Sequence, residues 1–201
     1  MIDRHALRLL KPLIDWAAAR LYALGCNADQ VTLAGFAAGM GAAAAVTAGH
    51  SLLALPLLIA SRAMDGLDGA LARLCGTTDR GAFLDIALDF IFYASLPLAF
   101  ALADAPGNAL PAAVLLAAFI GTGTSFLAFA IVAEKRGLKS AAYPSKTIYY
   151  LGGLAEGSET IACFVLMCLW PAHFAAFAYI YAALCLVTTL TRLAAGWMSF
   201  R

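Results

Sequence analysis

Six apolar runs, at about 29–48, 52–74, 82–103, 109–133, 147–170 and 172–196, leave this chain few folds to choose from. Each is near the ~20 residues that an α-helix needs to span the hydrocarbon core of a bilayer. Composition points the same way: 63% of the 201 residues are hydrophobic and only 12% are charged, with a mean hydropathy of +0.86. A water-soluble domain of this length could not hide so much apolar surface. The expected fold is an all-α integral membrane protein of six transmembrane helices. There is no internal repeat, low-complexity tract or linker, so residues 1–201 read as one domain. Gly35, Gly39 and Gly41 interrupt the first run, which membrane helices tolerate and which allows close helix contact.

The breaks between runs fall into two chemical classes. Gly49-His50-Ser51, Asp104-Ala105-Pro106-Gly107-Asn108 and Trp170-Pro171-Ala172-His173 contain no Lys or Arg. The others hold nearly all the basic residues: Arg4, Arg8, Lys11 and Arg20, then Arg73 and Arg80, then Lys135, Arg136, Lys139 and Lys146, and finally Arg201. By the positive-inside rule both termini face the cytoplasm, and so does the region around residues 65–89. Before the first span, Leu7, Leu10, Leu13, Ile14, Ala17 and Leu21 recur at helical spacing against Arg4, Arg8, Lys11, Asp15 and Arg20. That pattern predicts an amphipathic helix in the cytoplasmic interface, anchored among membrane lipids by Trp16. It lacks the long apolar core and cleavage site of a signal peptide. Cys26, Cys75, Cys163, Cys168 and Cys185 show no metal-type spacing and read as small hydrophobic filling.

Four aspartates stand out against this apolar background. Asp65 and Asp68 are three residues apart, and Asp85 and Asp89 are four apart. At helical periodicity each pair projects from one face of its own helix. The polar turn Gly76-Thr77-Thr78-Asp79-Arg80 joins the two helices antiparallel, so the pairs can face each other. An aspartate at mid-bilayer costs roughly 2.5–3.5 kcal/mol, so four cost on the order of 10 kcal/mol, less near the interface. Their mutual repulsion adds to this unless cations neutralise them. Hard divalent cations with oxygen ligands suit that task, and a pair of them suits phosphate chemistry. The plainer alternative is that the carboxylates line the water–lipid boundary and pair with Arg62, Arg73 and Arg80. Four on two facing helices, with small Gly69 and Ala72 between them, argue for a site.

The arrangement D-x2-D-G-x2-A-R over Asp65–Arg73, followed by G-x3-D-x3-D over Gly81–Asp89, resembles the signature of the CDP-alcohol phosphatidyltransferase family. A cytoplasmic amphipathic helix and six spans, with the signature across spans two and three, is also that family's plan. The segment Lys146–Thr160, with Asp89-Phe90-Ile91-Phe92-Tyr93, is similar to a bacterial inner-membrane branch of it. Two departures are visible. The spacing between Arg73 and Gly81 is one residue shorter than the family usually has, and Asn27-Ala28-Asp29-Gln30-Val31-Thr32 replaces its T-P-N-x-x-T entry to the first span. Neither removes an ionisable member of the signature.

The resemblance implies transfer of a phosphatidyl-type group from a CDP-linked lipid such as CDP-diacylglycerol to an alcohol acceptor, with release of CMP, in phospholipid biosynthesis. The cofactor it implies is Mg2+ or Mn2+, as two ions. Cations of this kind neutralise the dianionic pyrophosphate and stabilise departing CMP. Asp65, Asp68 and Asp85 are the best metal ligands. Asp89 is the best candidate to take the acceptor's proton, while also touching metal. Asp68, Gly69, Ala72 and Arg73 form the expected nucleotide face, the small residues letting a nucleotide lie against the helix. Arg73 either meets phosphate or satisfies a carboxylate. Gly81 reads as permitting a close approach. A homodimer is also implied, and Gly121, Gly123 and Ala128 offer a small-residue surface for it.

In the second half, Glu156 and Glu159 fall ten to thirteen residues into span five, near the bilayer middle. Either one is protonated and bonds a neighbouring helix, or both line the cavity beneath the aspartates and help choose the acceptor. Arg192, near the cytoplasmic end of span six, is placed to snorkel. By resemblance to the family's acceptor-phosphate pockets, Arg192, Lys146 and Lys139 are candidates to bind an anionic acceptor. His5, His50 and His173 are too scattered for a triad or zinc site. No Walker loop, G-x-S-x-G or nucleic-acid motif is present. Two other classes compete: a divalent-cation transporter, and a catalytically silent lipid-binding protein. Against the first, no polar residues continue outward through Leu57, Leu58, Ile59 or Phe92, Ala94 and Leu96. Against the second, all four aspartates are kept.

Overall fold

The computed structural model describes residues 2–137 and 153–201, with side chains from Lys11 onward. Seven α-helices appear among them: α1 (Ile2–Ala23), α2 (Ala28–Thr47), α3 (Ser51–Cys75), α4 (Asp79–Ala103), α5 (Ala105–Lys135), α6 (Gly157–Leu169) and α7 (Phe174–Ser199), with a single 3-10 turn at Pro171–His173. Four stretches are long and apolar enough to cross a membrane: α2, α4, α5 and the Pro171–Ser199 stretch that contains α7. The expectation of six spans is met only to that extent. Helix α3 has spanning length, at 25 residues, but carries Arg62, Asp65, Asp68 and Arg73. Helix α6 is apolar but only 13 residues long.

Local chemistry explains where these helices start. Asn27 caps α2 through a reciprocal pair: its side chain accepts from the Gln30 N–H, while the Gln30 side chain accepts from the Asn27 N–H. The sequence that departs from the family's usual entry thus forms a complete capping box. Thr78 caps α4 by accepting from the Gly81 N–H, and Asp104 caps α5 by accepting from the Gly107 N–H.

Helix α2 is the hub of one half of the bundle, packing against both α3 and α4. Its glycines make this possible. A Cβ on Gly39 would lie 2.6 Å from the Phe92 ring, and one on Gly35 would lie 3.0 Å from Met64 Cβ. Gly41 has only an ordinary contact with Leu57. Helices α3 and α4 have little direct backbone contact with each other. They were expected to face each other, and they do so across a gap that α2 bridges. Helix α1 lies on α3 through Ile14, Ala18 and Leu21 against Ala70 and Leu71, leaving Leu13 and Trp16 exposed.

Buried aromatics join the other half. Phe164 of α6 stands edge-on to Phe92 and Phe119, Phe119 meets Tyr181 of α7, and Phe100 stacks on Phe174 at 4.5 Å. Two glycines expected to serve a dimer seam are used inside the chain instead. A Cβ on Gly121 would meet Thr189 of α7 at 3.1 Å, and one on Gly123 would meet the Phe90 ring of α4 at 2.5 Å. Only Ala128 of that trio is exposed.

Candidate active site

A cavity of about 1470 Å³ opens at the end of the bundle where α2 and α4 begin and α3, α5 and α7 end. All four aspartates reach it: Asp65 and Asp68 from α3, Asp85 and Asp89 from α4. They also line a recess of about 10 Å³ together with Thr32, Ser61 and Arg62. That is about the space one water-sized sphere fills. The local spacing explains the convergence, since residues three or four apart share a helix face. The α3–α4 turn then reverses direction over Gly76, whose φ of +94° suits glycine.

The recess fits a hard cation by donor chemistry. Asp68 is 5% exposed, and its Oδ2 is buried with no hydrogen-bond partner among the described residues. A buried carboxylate oxygen left so is strongly unfavourable unless a cation or donor satisfies it. Yet among the described residues no three His, Cys, Asp or Glu stand close enough to close around an ion. Arg62 sits between two of the carboxylates, its Nη1 donating to Asp89 Oδ1 at 2.8 Å and to Asp65 Oδ1 at 3.4 Å. Its Nη2 donates to Ser61 Oγ at 3.1 Å, and its guanidinium lies 4.4 Å over the Phe92 ring. The sequence treated Arg62 only as a possible neutraliser; it is a member of the site.

The other arginines divide differently. Arg80 pairs with Asp29, its Nε and Nη2 donating to Asp29 Oδ2 at 2.9 and 2.6 Å, so it neutralises none of the four aspartates. Asp29, noted in the sequence only as a departure from the family, therefore ties the start of α2 to the start of α4. Gly81 permits that approach, since a Cβ there would lie 3.1 Å from Asp29 Oδ1. Arg73 is exposed at the cavity wall beside Gly69 and Ala72 and has no carboxylate within ion-pair distance among the described residues. Asp68, Gly69, Ala72 and Arg73 thus share one wall.

The far wall revises the second-half expectations. Glu156 is not midway along a span: it precedes α6, which begins at Gly157, and Glu159 lies in the first turn. Glu156 lines the cavity and Glu159 does not. Residues Gly153–Glu156 are not helical, and their backbone is tied to neighbours. Thr188 Oγ1 accepts from the Leu154 and Ala155 N–H groups at 3.1 and 2.9 Å, and Glu156 Oε1 accepts from the Gly153 N–H at 2.9 Å. Thr160 Oγ1 donates to the Glu156 carbonyl at 2.8 Å and lies 2.7 Å from the Tyr181 hydroxyl. Irregular backbone at membrane depth is tolerated in just such a place, packed in protein and bordering a cavity. Arg192 does not snorkel. It is 7% exposed, donates to the Thr122 carbonyl at 3.1 Å and lines the same cavity. Lys139 and Lys146 lie outside the described residues.

A helical membrane protein with a cavity at one end of the bundle, acidic on one wall and with a buried arginine on the other, is the class this geometry defines. Residues 26–198 match the CDP-alcohol phosphatidyltransferase family, and the chain belongs to that family. It is 50% identical to Inner membrane protein YnjF of Escherichia coli K12, over all of this chain and 98% of that one. The fold is also that of a Mycobacterium tuberculosis phosphatidylinositol phosphate synthase crystallised with CDP-DAG bound. The TM-score is 0.72 and the identity 21%, with 92% of this chain and 94% of that one covered. A second crystal structure of that synthase, in complex with manganese and citrate, gives a TM-score of 0.70 at 22% identity, covering 92% and 88%.

Proposed function

We propose that this chain is a metal-dependent membrane transferase that moves a phosphatidyl-type group from a CDP-alcohol, such as CDP-diacylglycerol, to an alcohol acceptor and releases CMP. The observation that carries the reading is the convergence of Asp65, Asp68, Asp85 and Asp89 on one recess in which an Asp68 oxygen is buried without a hydrogen-bond partner among the described residues. Asp65, Asp68 and Asp85 would hold Mg2+ or Mn2+, with Asp89 able to share. Bound there, the ions supply charge neutralisation for the pyrophosphate and the leaving CMP. The manganese complex of the structurally similar synthase supports this cofactor choice.

The chain's own residues do the rest. Gly69 and Ala72 leave room for the nucleotide along α3, and Arg73 offers its guanidinium to a phosphate. Asp89, one turn beyond Asp85, accepts the proton of the attacking hydroxyl. Arg192, buried on the opposite wall, is the best positive group for an acceptor phosphate, which favours an anionic acceptor. Glu156 is engaged with the Gly153 backbone and is the weaker determinant. The setting is the bacterial inner membrane, in keeping with the E. coli inner membrane protein that the chain resembles, with both termini and the cavity facing the cytoplasm. A homodimer belongs to the proposal by family resemblance, at a seam other than Gly121–Gly123.

The direct test uses the full chain in detergent with radiolabelled CDP-diacylglycerol and a panel of alcohols: glycerol phosphate, an inositol phosphate, serine. Acceptor-dependent CMP release that stops with EDTA is expected. A chain that binds CDP-diacylglycerol but releases no CMP with any acceptor would point to a silent lipid-binding protein. Divalent-ion flux into proteoliposomes without CMP release would point to a transporter.

A further inference from the structure

We infer that Arg62 is a tethered cation of the aspartate site, one that holds Asp65 and Asp89 until an anionic substrate arrives and so makes a second divalent ion conditional on that substrate. The inference rests on the metal-dependent reading above and goes beyond it. Arg62 is one helical turn before Asp65, so the same face of α3 presents both. Its position is over-determined. Asp65 and Asp89 accept from Nη1, Ser61 accepts from Nη2, and the Phe92 and Tyr93 rings lie 4.4 and 5.7 Å from the guanidinium carbon. The side chain is 16% exposed. A snorkelling arginine at a helix end has none of these constraints.

Charge arithmetic gives the arrangement its meaning. Four carboxylates bring four negative charges, and an arginine cannot be deprotonated in a protein. One divalent ion plus Arg62 leaves the site one charge short of neutral. A second divalent ion would leave it one positive charge in excess, beside a guanidinium that cannot dissociate. The dianionic pyrophosphate reverses that balance. In its absence the ion that fits best sits toward Asp68 and Asp85, where an oxygen of Asp68 is buried without a partner among the described residues. The Asp89 side is already neutralised by Arg62.

The test is Mn2+ binding to the full chain in detergent, by equilibrium dialysis with EPR, without CDP-lipid. Wild type is expected to hold one tight ion per chain and to take up a second only when a CDP-lipid is added. Arg62→Gln should bind a second ion without lipid, with affinity tightened by about tenfold, the scale of one unit charge a few ångströms away in a partly screened site. Arg62→Lys, which keeps the charge, should behave as wild type, a rescue that a purely structural role would not give. If Arg62→Gln does not fold, Asp89→Asn serves: it leaves the Arg62 charge uncompensated on that side and should weaken substrate-free Mn2+ binding by about tenfold, where Asp68→Asn abolishes it. Equal stoichiometry and affinity in wild type and Arg62→Gln would overturn the role of Arg62 alone. So would an unchanged Mn2+ affinity in Asp89→Asn, or a loss there as complete as in Asp68→Asn. Absence of Mn2+ binding to wild type and every variant would overturn the metal-dependent reading together with it.

Discussion

Asp68 concentrates the chemistry of this chain in one atom, a carboxylate oxygen buried in an acidic recess without a hydrogen bond among the described residues. Replacing it tests the site most cleanly, because Asn keeps the shape and removes the charge. Asp65→Asn, Asp68→Asn and Asp85→Asn are each expected to abolish CMP release while the protein still extracts and migrates as folded material in size-exclusion chromatography. EDTA should do the same to wild type, reversibly on adding Mg2+ or Mn2+. Full transfer by metal-stripped protein would sink the two-ion reading. Arg192→Ala should raise the acceptor's KM with little change in CDP-lipid affinity, because Arg192 lines the cavity from α7 whereas the expected nucleotide residues are on α3. Glu156→Gln should be milder, its Oε1 being engaged by the Gly153 N–H. The reverse ranking in acceptor kinetics would point to a cationic or zwitterionic alcohol.

At the scale of elements, the short helix α6 depends on a hydroxyl far away in sequence. Thr188 accepts from two consecutive backbone N–H groups, those of Leu154 and Ala155, and so fixes the non-helical entry to α6. Thr188→Val keeps the shape and leaves both donors unsatisfied, at about 1–3 kcal/mol each. Thermal unfolding in detergent should show a clear loss of stability that Thr188→Ser largely restores; an unchanged midpoint would mean that water or another group replaces the hydroxyl. This element also marks the limit of sequence reading. The run 147–170 is mostly apolar, so composition alone makes it one span with Glu156 and Glu159 at mid-depth. What interrupts it is a contact between residues 33 and 34 positions apart, which no local pattern contains. The aspartate pairs were legible because three- and four-residue spacing is local. Arg62 was legible as a possible partner of the carboxylates, but its bond to Asp89 was not, because Asp89 is 27 residues away on another helix. Arg192 looked like a snorkelling residue because sequence reveals depth along a helix better than the direction a side chain takes.

For the molecule as a whole, the basic residues at the cavity end predict a cytoplasmic cavity, and a native cysteine can report it. Cys75 is exposed at the cavity mouth. A membrane-impermeant maleimide should label it in inverted inner-membrane vesicles and not in intact spheroplasts, with Cys75→Ser removing the signal. Labelling from the outside would reverse the topology. Cross-linking in native membranes should yield a dimer, and because Gly121 and Gly123 are occupied within the chain, Gly121→Ala should change stability before it changes dimer yield. The remaining feature of consequence is the helix between the two that carry the aspartates. Helix α2 contributes no aspartate to the recess, yet α3 and α4 both rest on it, and Gly35 and Gly39 set how near they come. A single methyl group on its inner stripe would spread the two acidic faces without altering any of their charges. A substitution along that stripe would therefore act on the width between the acidic faces alone, a mechanical setting of the site held by residues that carry no charge.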